Sequence, residues 1–347
     1  MTIPDKVKSV DSGAFCQCSS LREVKIGNSI TNIGAGAFYQ CNSLTNAIIP
    51  YGVTRIGGGL CEFVGDATWF VFGAFYGCSS LESVTIPNTV TSIGAHAFHD
   101  CNNLRNVYLH DVVNVKGIAA WCGIDFEGDG SQGSSPLRYA QNLYLNGELV
   151  TALEIPEGVT GIGNYAFNNC DCLQSVSIPD SVVRVGSGAF SGCNNITSTM
   201  VPQSVMDQGL STTFGGSYQS LQSLRLGANV SAIGVNEFAN CRALTSVTVA
   251  DGNTSYVVLD DGCLYDIARN LILLCPRDKA SITIPNGVTA IGNYAFQYCT
   301  NLVSASMPET LQSIGSGSFV GCAKLCAGGE SGRSRHCVRD GGWRLRH

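Results

Sequence analysis

Leu81-Glu82-Ser83-Val84-Thr85-Ile86-Pro87-Asn88-Thr89-Val90-Thr91-Ser92-Ile93-Gly94-Ala95-His96-Ala97-Phe98-His99-Asp100-Cys101 decides the fold of this chain. Within it Val84 and Ile86 alternate with Ser83 and Thr85, the period of two that a short strand with one buried face requires. Pro87 lacks a backbone donor and fixes φ, so it marks the end of that strand's ladder. Gly94 follows the next apolar anchor, Ile93, and a glycine at such an offset is expected to supply a positive φ at a bend. Apolar residues then recur at Phe98, Cys101 and Leu104, a spacing that suits one or two turns of helix leading to the next strand.

The same pattern returns along most of the chain. A phenylalanine followed three residues later by a cysteine occurs at Phe15/Cys18, Phe38/Cys41, Phe75/Cys78, Phe98/Cys101, Phe167/Cys170, Phe190/Cys193, Phe238/Cys241, Phe296/Cys299 and Phe319/Cys322. Phe15 to Phe38, Phe75 to Phe98, Phe167 to Phe190 and Phe296 to Phe319 are each 23 residues apart. The strand-ending proline recurs at Pro4, Pro50, Pro156, Pro179, Pro202, Pro285 and Pro308. The isoleucine-glycine step recurs at Gly34, Gly57, Gly163, Gly234, Gly292 and Gly315. A unit this short cannot bury its own apolar face, so it stacks on its neighbours. The expected fold is therefore an α/β repeat solenoid: coils of about 23 residues, one parallel β-sheet with strands about 4.8 Å apart, short helical turns, and a few inserted hairpins and loops.

The pattern Leu-x-x-Val-x-Ile-Pro-x-x-Val-x-x-Ile-Gly-x-x-Ala-Phe-x-x-Cys, as in residues 81–101 and, with Val185 for isoleucine, 173–193, resembles the BspA-like leucine-rich repeat family. The resemblance spans nearly all of residues 3–322. It implies a leucine-rich-repeat-like solenoid belonging to a surface-exposed or secreted, often adhesin-like, binding protein, with no catalytic residues to carry over. Two irregular stretches, residues 121–149 and 253–265, look like segments that recur in such proteins.

On this reading residues 1–322 form the solenoid, with insertions near 57–73, 110–150 and 250–281, and residues 323–347 form a basic Gly/Arg-rich tail. The first insertion carries Trp69, Phe70 and Phe72. Between Cys101 and Cys170 there is room for three periods but only one recognisable repeat start, at Ile155-Pro156. A degenerate coil follows Cys193, with Phe214 in place and no cysteine after it. In residues 251–280, Tyr256-Val257-Val258-Leu259 and Leu271-Ile272-Leu273-Leu274 flank turn-rich segments and predict a hairpin. The tail sets six cations, Lys324, Arg333, Arg335, Arg339, Arg344 and Arg346, against Glu330 and Asp340. It reads as disordered or not native to the array, with a basic anchor as the alternative. The chain opens in mid-repeat with neither a leader nor a polar cap, which is expected of a fragment of a longer exported protein.

Composition excludes several functions. The net charge of −6 argues against nucleic-acid binding as a main role, and no apolar run of eighteen residues suggests membrane insertion. Of seventeen cysteines, nine occupy the repeating slot and read as a column of buried thiols. Cys16/Cys18 and Cys170/Cys172 are too close in sequence to pair comfortably, and Cys263/Cys275 is the bridge to test first. No Cys-x-x-Cys pair supports zinc, and His96 and His99 fall in variable outward slots. Asp125-x-Glu127-x-Asp129-Gly130 begins like a calcium loop but reaches Pro136 where a bidentate glutamate is needed. Neither a nucleophile elbow nor an inward histidine base is present, so no enzyme, metal or cofactor is expected. Asn195, Asn229 and Asn253 would be glycosylation acceptors only in a eukaryotic secretory route.

What remains is surface. The outward strand positions form a polar face with scattered Arg and Tyr, the usual anchors of recognition. The candidate ligand-binding residues are Arg22, Lys25, Thr85, Arg105, Tyr108, Ser177, Arg225 and Thr248 on that face, with Trp69 in the first insertion. The expected partner is a protein or glycan on a host or neighbouring cell, and the expected location is extracellular or at the cell surface. The competing reading is a structural spacer that holds another domain away from the cell.

Overall fold

In the computed structural model the described residues are 1–62, 69–111, 116–127, 134–268 and 270–325. They divide into two compact units, residues 1–196 with 210–217, and residues 197–209 with the chain from 218 onward. Each is a β-solenoid.

In the first unit the alternating residues build the anticipated parallel sheet. Asn46–Ile48, Ser83–Thr85, Asn106–Leu109 and Asn142–Leu145 pair in register, so that Ala47, Val84, Val107 and Leu143 lie side by side, all fully buried. The Val-x-x-Ile-Gly stretch adds a second parallel sheet. Ser9–Val10, Asn32–Ile33, Arg55–Ile56, Ser92–Ile93 and Asp125–Phe126 stack with Val10, Ile33, Ile56, Ile93 and Phe126 inward. Farther along, Ala152–Glu154 pairs with Ser175–Ser177 and Gly161–Ile162 with Arg184–Val185, repeating both walls.

The glycines that follow the isoleucines work differently from the expectation. None of Gly34, Gly57, Gly94, Gly163, Gly234, Gly292 and Gly315 has a positive φ. Their role is close approach. A Cβ on Gly34, Gly57 or Gly315 would fall 2.5, 2.6 or 2.6 Å from the backbone nitrogen of Ser12, Ala35 or Asn293 in the preceding coil. The amides of Gly34, Gly57 and Gly94 meanwhile donate to Val10, Ile33 and Ile56 oxygens at 2.7–2.8 Å, which is what draws the coils together. Only Gly234 of the set has room, with nothing nearer than a Glu237 carboxylate oxygen at 3.5 Å.

The segment read as helical turns is a third wall. Ala97, His99, Cys101 and Leu104 amides each donate to the carbonyl three residues back, at 3.0–3.2 Å, but His96 and Asp100 have φ of 61° and 60° and split the run into separate turns. Those turns hydrogen bond to the next coil. Phe38 and Gln40 amides reach Ala74 and Tyr76 oxygens, and Phe75 and Gly77 amides reach Ala97 and His99, all at 2.7–2.8 Å. Behind this wall the phenylalanines stack. Phe15, Phe38, Phe75 and Phe98 have successive ring centroids 5.3, 5.2 and 5.4 Å apart, nearly parallel; Phe167, Phe190 and Phe214 repeat the arrangement at 5.2 and 5.4 Å. Beside them the thiols of Cys41, Cys78, Cys101 and Cys193 donate to the phenylalanine carbonyl of the preceding coil, at 3.0–3.2 Å.

The described residues 116–127 and 134–145 belong to a coil that lacks the Phe/Cys signature. Asp125–Phe126 extends the second sheet, a helix at Leu137–Ala140 takes the place of the turns, and Asn142–Leu145 extends the first sheet. A further helix, Gly117–Cys122, buries Trp121, whose indole N–H donates to the Ala166 carbonyl at 2.9 Å. Glu127 of the calcium-like stretch is engaged by Arg55 at 3.0 Å, and residues 128–133 of that stretch lie outside the described residues. In the first insertion, Leu60–Glu62 and Trp69–Val71 pair antiparallel.

In the second unit Ser198–Val201, Ser223–Leu226 and Ser246–Val249 form a parallel sheet, with Leu224 and Val247 inward. The expected hairpin is a three-stranded meander, because Leu264–Asp266 pairs antiparallel with both Tyr256–Val258 and Leu271–Leu274. Leu271–Leu274 then pairs parallel with Ala290–Ile291, so the insertion feeds back into the solenoid. Phe296 and Phe319 stack at 4.8 Å.

The meander supplies no phenylalanine and no turn wall, and Arg277, 5% exposed, stands in for them. Its guanidinium donates to Phe238 and Cys241 oxygens at 3.3 Å and to the Ala295 oxygen at 3.4 Å. Each of these carbonyls also accepts a backbone amide, from Cys241, Leu244 and Cys275, and one cation adds the second donor that a thiol gives the phenylalanine carbonyl in other coils. Arg277→Met keeps the bulk and removes the second, charged donor from each of three carbonyls that retain their backbone amide partners, and is expected to cost about 2 kcal/mol. Urea denaturation measures it, and wild-type stability in the variant would refute this role.

Candidate functional site

Alternation fixes the outward face. Because Val84 and Val107 point inward, Thr85 and Tyr108 point outward, and register aligns Ile48, Thr85, Tyr108 and Tyr144 in one column. Tyr108 and Tyr144 stack with centroids 4.8 Å apart at 28°, and Ile48 is 66% exposed. One step away runs a polar column of Asn46, Ser83, Asn106 and Asn142. The Ser83 hydroxyl donates to Asn46 Oδ1 at 2.7 Å, and Asn142 Nδ2 donates to Asn106 Oδ1 at 3.3 Å. Arg22 and Arg105 belong to a further column just before the strands, linked backbone to backbone through Thr45 and Glu82. Both arginines are exposed, as is Lys25, which bridges to Thr2.

The structure therefore brings Thr85 and Tyr108 onto one outward sheet face of the first unit, with Arg22 and Arg105 exposed at its edge just before the strands, where Arg105 Nη1 donates back to the Asn102 and Leu104 carbonyls at 3.3 and 3.4 Å. Ser177 lies half-buried on the strand paired with Ala152–Glu154, opposite Glu154. Arg225 and Thr248 are adjacent in register in the second unit, both exposed, with Met200 on the other side of Arg225. Trp69 sits opposite Glu62 in the inserted hairpin, and its side chain lies outside the described residues.

Two groupings escaped the sequence reading. Tyr144 completes the aromatic pair, but its strand has neither the proline nor the Phe/Cys marker that would have revealed its register. The other is an aromatic strip on the turn wall. Tyr39 lies 4.0 Å from Phe72 and 5.6 Å from Tyr76, and Tyr76 stacks on His99 at 4.9 Å. The signal was present: Tyr39, Tyr76 and His99 each directly follow the repeating phenylalanine. Burial raises the phenol pKa values of Tyr39 and Tyr76, with the Asp100 carboxylate adding to the rise, so both stay neutral donors. His99 Nδ1 is 3.2 Å from Asp100, and Cys101 turns away to its own carbonyl acceptor. Among the described residues no group of three or more His, Cys, Asp or Glu side chains could hold a metal ion.

Five members of the thiol column are chemically quiet. Burial pushes Cys41 up to about 11 and Cys193 and Cys241 up to about 12, and it raises Cys78 and Cys101 as well, so these cysteines remain protonated and inert. Cys263 and Cys275 are buried with free thiols within hydrogen-bonding reach of each other.

No curated protein matches the chain. Among solved structures it is similar to a leucine-rich repeat protein from Bacteroides ovatus, at 21% identity over 94% of this chain and 70% of that one, with a TM-score of 0.47. A leucine rich cell surface protein from Faecalibacterium prausnitzii is 26% identical over 81% of this chain and 68% of that one, also with a TM-score of 0.47. The pneumococcal vaccine antigen PcpA is 19% identical over 87% of this chain and 63% of its own, with a TM-score of 0.39. The family model described as the BspA type leucine rich repeat region matches residues 1–63, 70–122, 140–263 and 275–327 in six copies. With its strands, glycines and phenylalanine stack repeating in step, this chain belongs to the BspA-type leucine-rich repeat family.

Proposed function

We propose that the chain is the binding module of a cell-surface or secreted protein and engages a protein or glycan ligand, on a host or neighbouring cell, through its outward sheet face. The observation that carries this reading is the column Ile48, Thr85, Tyr108 and Tyr144: an exposed aliphatic side chain and a stacked tyrosine pair, held in register by strands whose inner faces are fully buried. A rigid scaffold presenting aromatic side chains with Arg22 and Arg105 nearby offers large contact area at low entropic cost. Leucine-rich repeat proteins of this kind are typically non-catalytic, and a similar protein from Faecalibacterium prausnitzii is described as a cell surface protein. Among the described residues no helix is long and apolar enough to cross a membrane.

Tyr108→Ala combined with Tyr144→Ala is expected to weaken binding of the protein to cells or matrix by roughly tenfold or more. Because both side chains face outward, stability changes by less than about 1 kcal/mol. Adhesion measured against the wild type decides the matter: undiminished adhesion would favour a spacer whose face is merely solvated. Arg105 in the first unit and Arg225 in the second form a second set of substitutions for the same assay.

A further inference from the structure

In most column positions the cysteine thiol donates to the phenylalanine carbonyl of the coil before it, as Cys101 and Cys193 do. Cys170 follows the coil in which the helix Leu137–Ala140 replaces those turns. Its sulfur meets that of Cys172, at 3.5 Å. The sequence spacing argued against such a pairing; the local chain path, with Cys172 drawn back by its amide to the Gln141 carbonyl at 3.2 Å, brings the two sulfurs into contact. Cys172 also occupies a slot where Asn103 and Asn195 elsewhere donate to the preceding coil's backbone at 2.7 Å. It is half-buried, whereas Cys170 is fully buried.

We propose that Cys170 and Cys172 are a redox-active dithiol, closing to an intramolecular disulfide by exchange with a low-molecular-weight disulfide such as oxidised glutathione. Cys172 Sγ, as the thiolate, attacks one sulfur of that disulfide and expels the other as a thiolate, giving a mixed disulfide on Cys172. Cys170, on losing its proton, attacks Cys172 Sγ, breaks the mixed bond and releases the second thiolate. The protein's two sulfurs are oxidised, the small disulfide is reduced to two thiols, and the two protein protons pass to them. The sulfurs must close from 3.5 Å to about 2.05 Å, within reach of side-chain rotation.

The surroundings suit Cys172 for the first step. Hydrogen bonding from Cys170 lowers its pKa to about 7, burial opposes this, and the Leu143 amide, 3.4 Å from Sγ, assists. The Val150 carbonyl, 3.2 Å away, accepts from the neutral thiol and favours its retention. Leu143 lies in the strand Asn142–Leu145 and Val150 directly follows the strand Glu148–Leu149, with the Val150 amide donating to the Leu143 oxygen at 2.9 Å. Closing the disulfide moves the Cys172 sulfur off both groups and loosens the base of that hairpin.

The test treats the folded protein with oxidised glutathione, quenches in acid, alkylates, and reads the peptide containing residues 170–172 by mass spectrometry. Wild type is expected to lose two hydrogens there, resist alkylation, and recover on reduction. Cys170→Ser is expected to stop at the glutathione adduct on Cys172, and Cys172→Ser to leave Cys170 unmodified. Alkylation of the untreated native protein is independent of either variant's folding: Cys172 reacts faster than Cys101 by roughly tenfold or more. Equal alkylation rates, or a wild type that keeps the adduct on Cys172, would overturn the assignment.

Discussion

Phe75→Ala is expected to remove about 4 kcal/mol from the stability of the first unit. Phe75 is fully buried between Phe38 and Phe98, with centroids 5.2 and 5.4 Å away, so truncation opens a cavity bounded by two rings whose positions are fixed by their own coils. The backbone cannot relax to fill it, because Phe75 and Gly77 amides tie that turn to Ala97 and His99. The loss therefore combines transfer, cavity and stacking terms. Phe15 provides the comparison. It is half-buried and stacks on Phe38 at the end of its column, so Phe15→Ala costs about 2 kcal/mol. Urea denaturation of both variants yields the ranking, and equal losses would contradict the stack as the main source of stability.

Gly186→Ala carries the second large effect, about 3 kcal/mol. Gly186 has no positive φ, so backbone conformation tolerates alanine; space does not. A Cβ there would lie 2.4 Å from the Asn164 backbone nitrogen and 2.5 Å from the Gly163 carbonyl carbon, while the Gly186 amide is held to the Ile162 oxygen at 2.8 Å. Neither side can yield without parting two coils. Gly161→Ala, in the neighbouring strand, meets nothing closer than the Arg184 side chain at 3.6 Å and should change stability by less than about 0.5 kcal/mol. Thermal melts of the pair separate crowding from a general intolerance of side chains: a harmless Gly186→Ala would mean that the coils are not locked at this distance.

Much of this architecture was legible because packing repeats it. Val84 and Ile86 alternate, Pro87 stops the ladder, and Phe98 returns 23 residues after Phe75, each under a constraint that every coil shares. Gly94 was placed correctly for the wrong reason: a glycine demanded by positive φ and one demanded by a neighbouring backbone look alike in a sequence, and only the coil spacing distinguishes them. The coil at residues 116–145 was missed since a helix carrying the buried Leu137 and Ala140 takes the place of the turns, filling the interior without preserving the motif. Arg277 gave no signal, as its role depends on carbonyls contributed by Phe238, Cys241 and Ala295, far from it in the chain. The candidate face was readable in position, from alternation, but not in membership. Tyr144 joins Tyr108 only through a register that the irregular stretch conceals, and outward residues are not held to any identity by packing.

The three hydrogen-bonded walls make chain length quantised. Removing one whole period would leave both sheets and the turn wall matched to the next coil, whereas removing a few residues from within a wall would put all three out of step. The corners are exempt: the hairpin of Leu60–Glu62 and Trp69–Val71 enters between the second sheet and the turns, and the helix Gly117–Cys122 enters between the two sheets. In the first unit these insertions fall at the edges where one wall gives way to another, so new loops can be grafted there without retuning the interior.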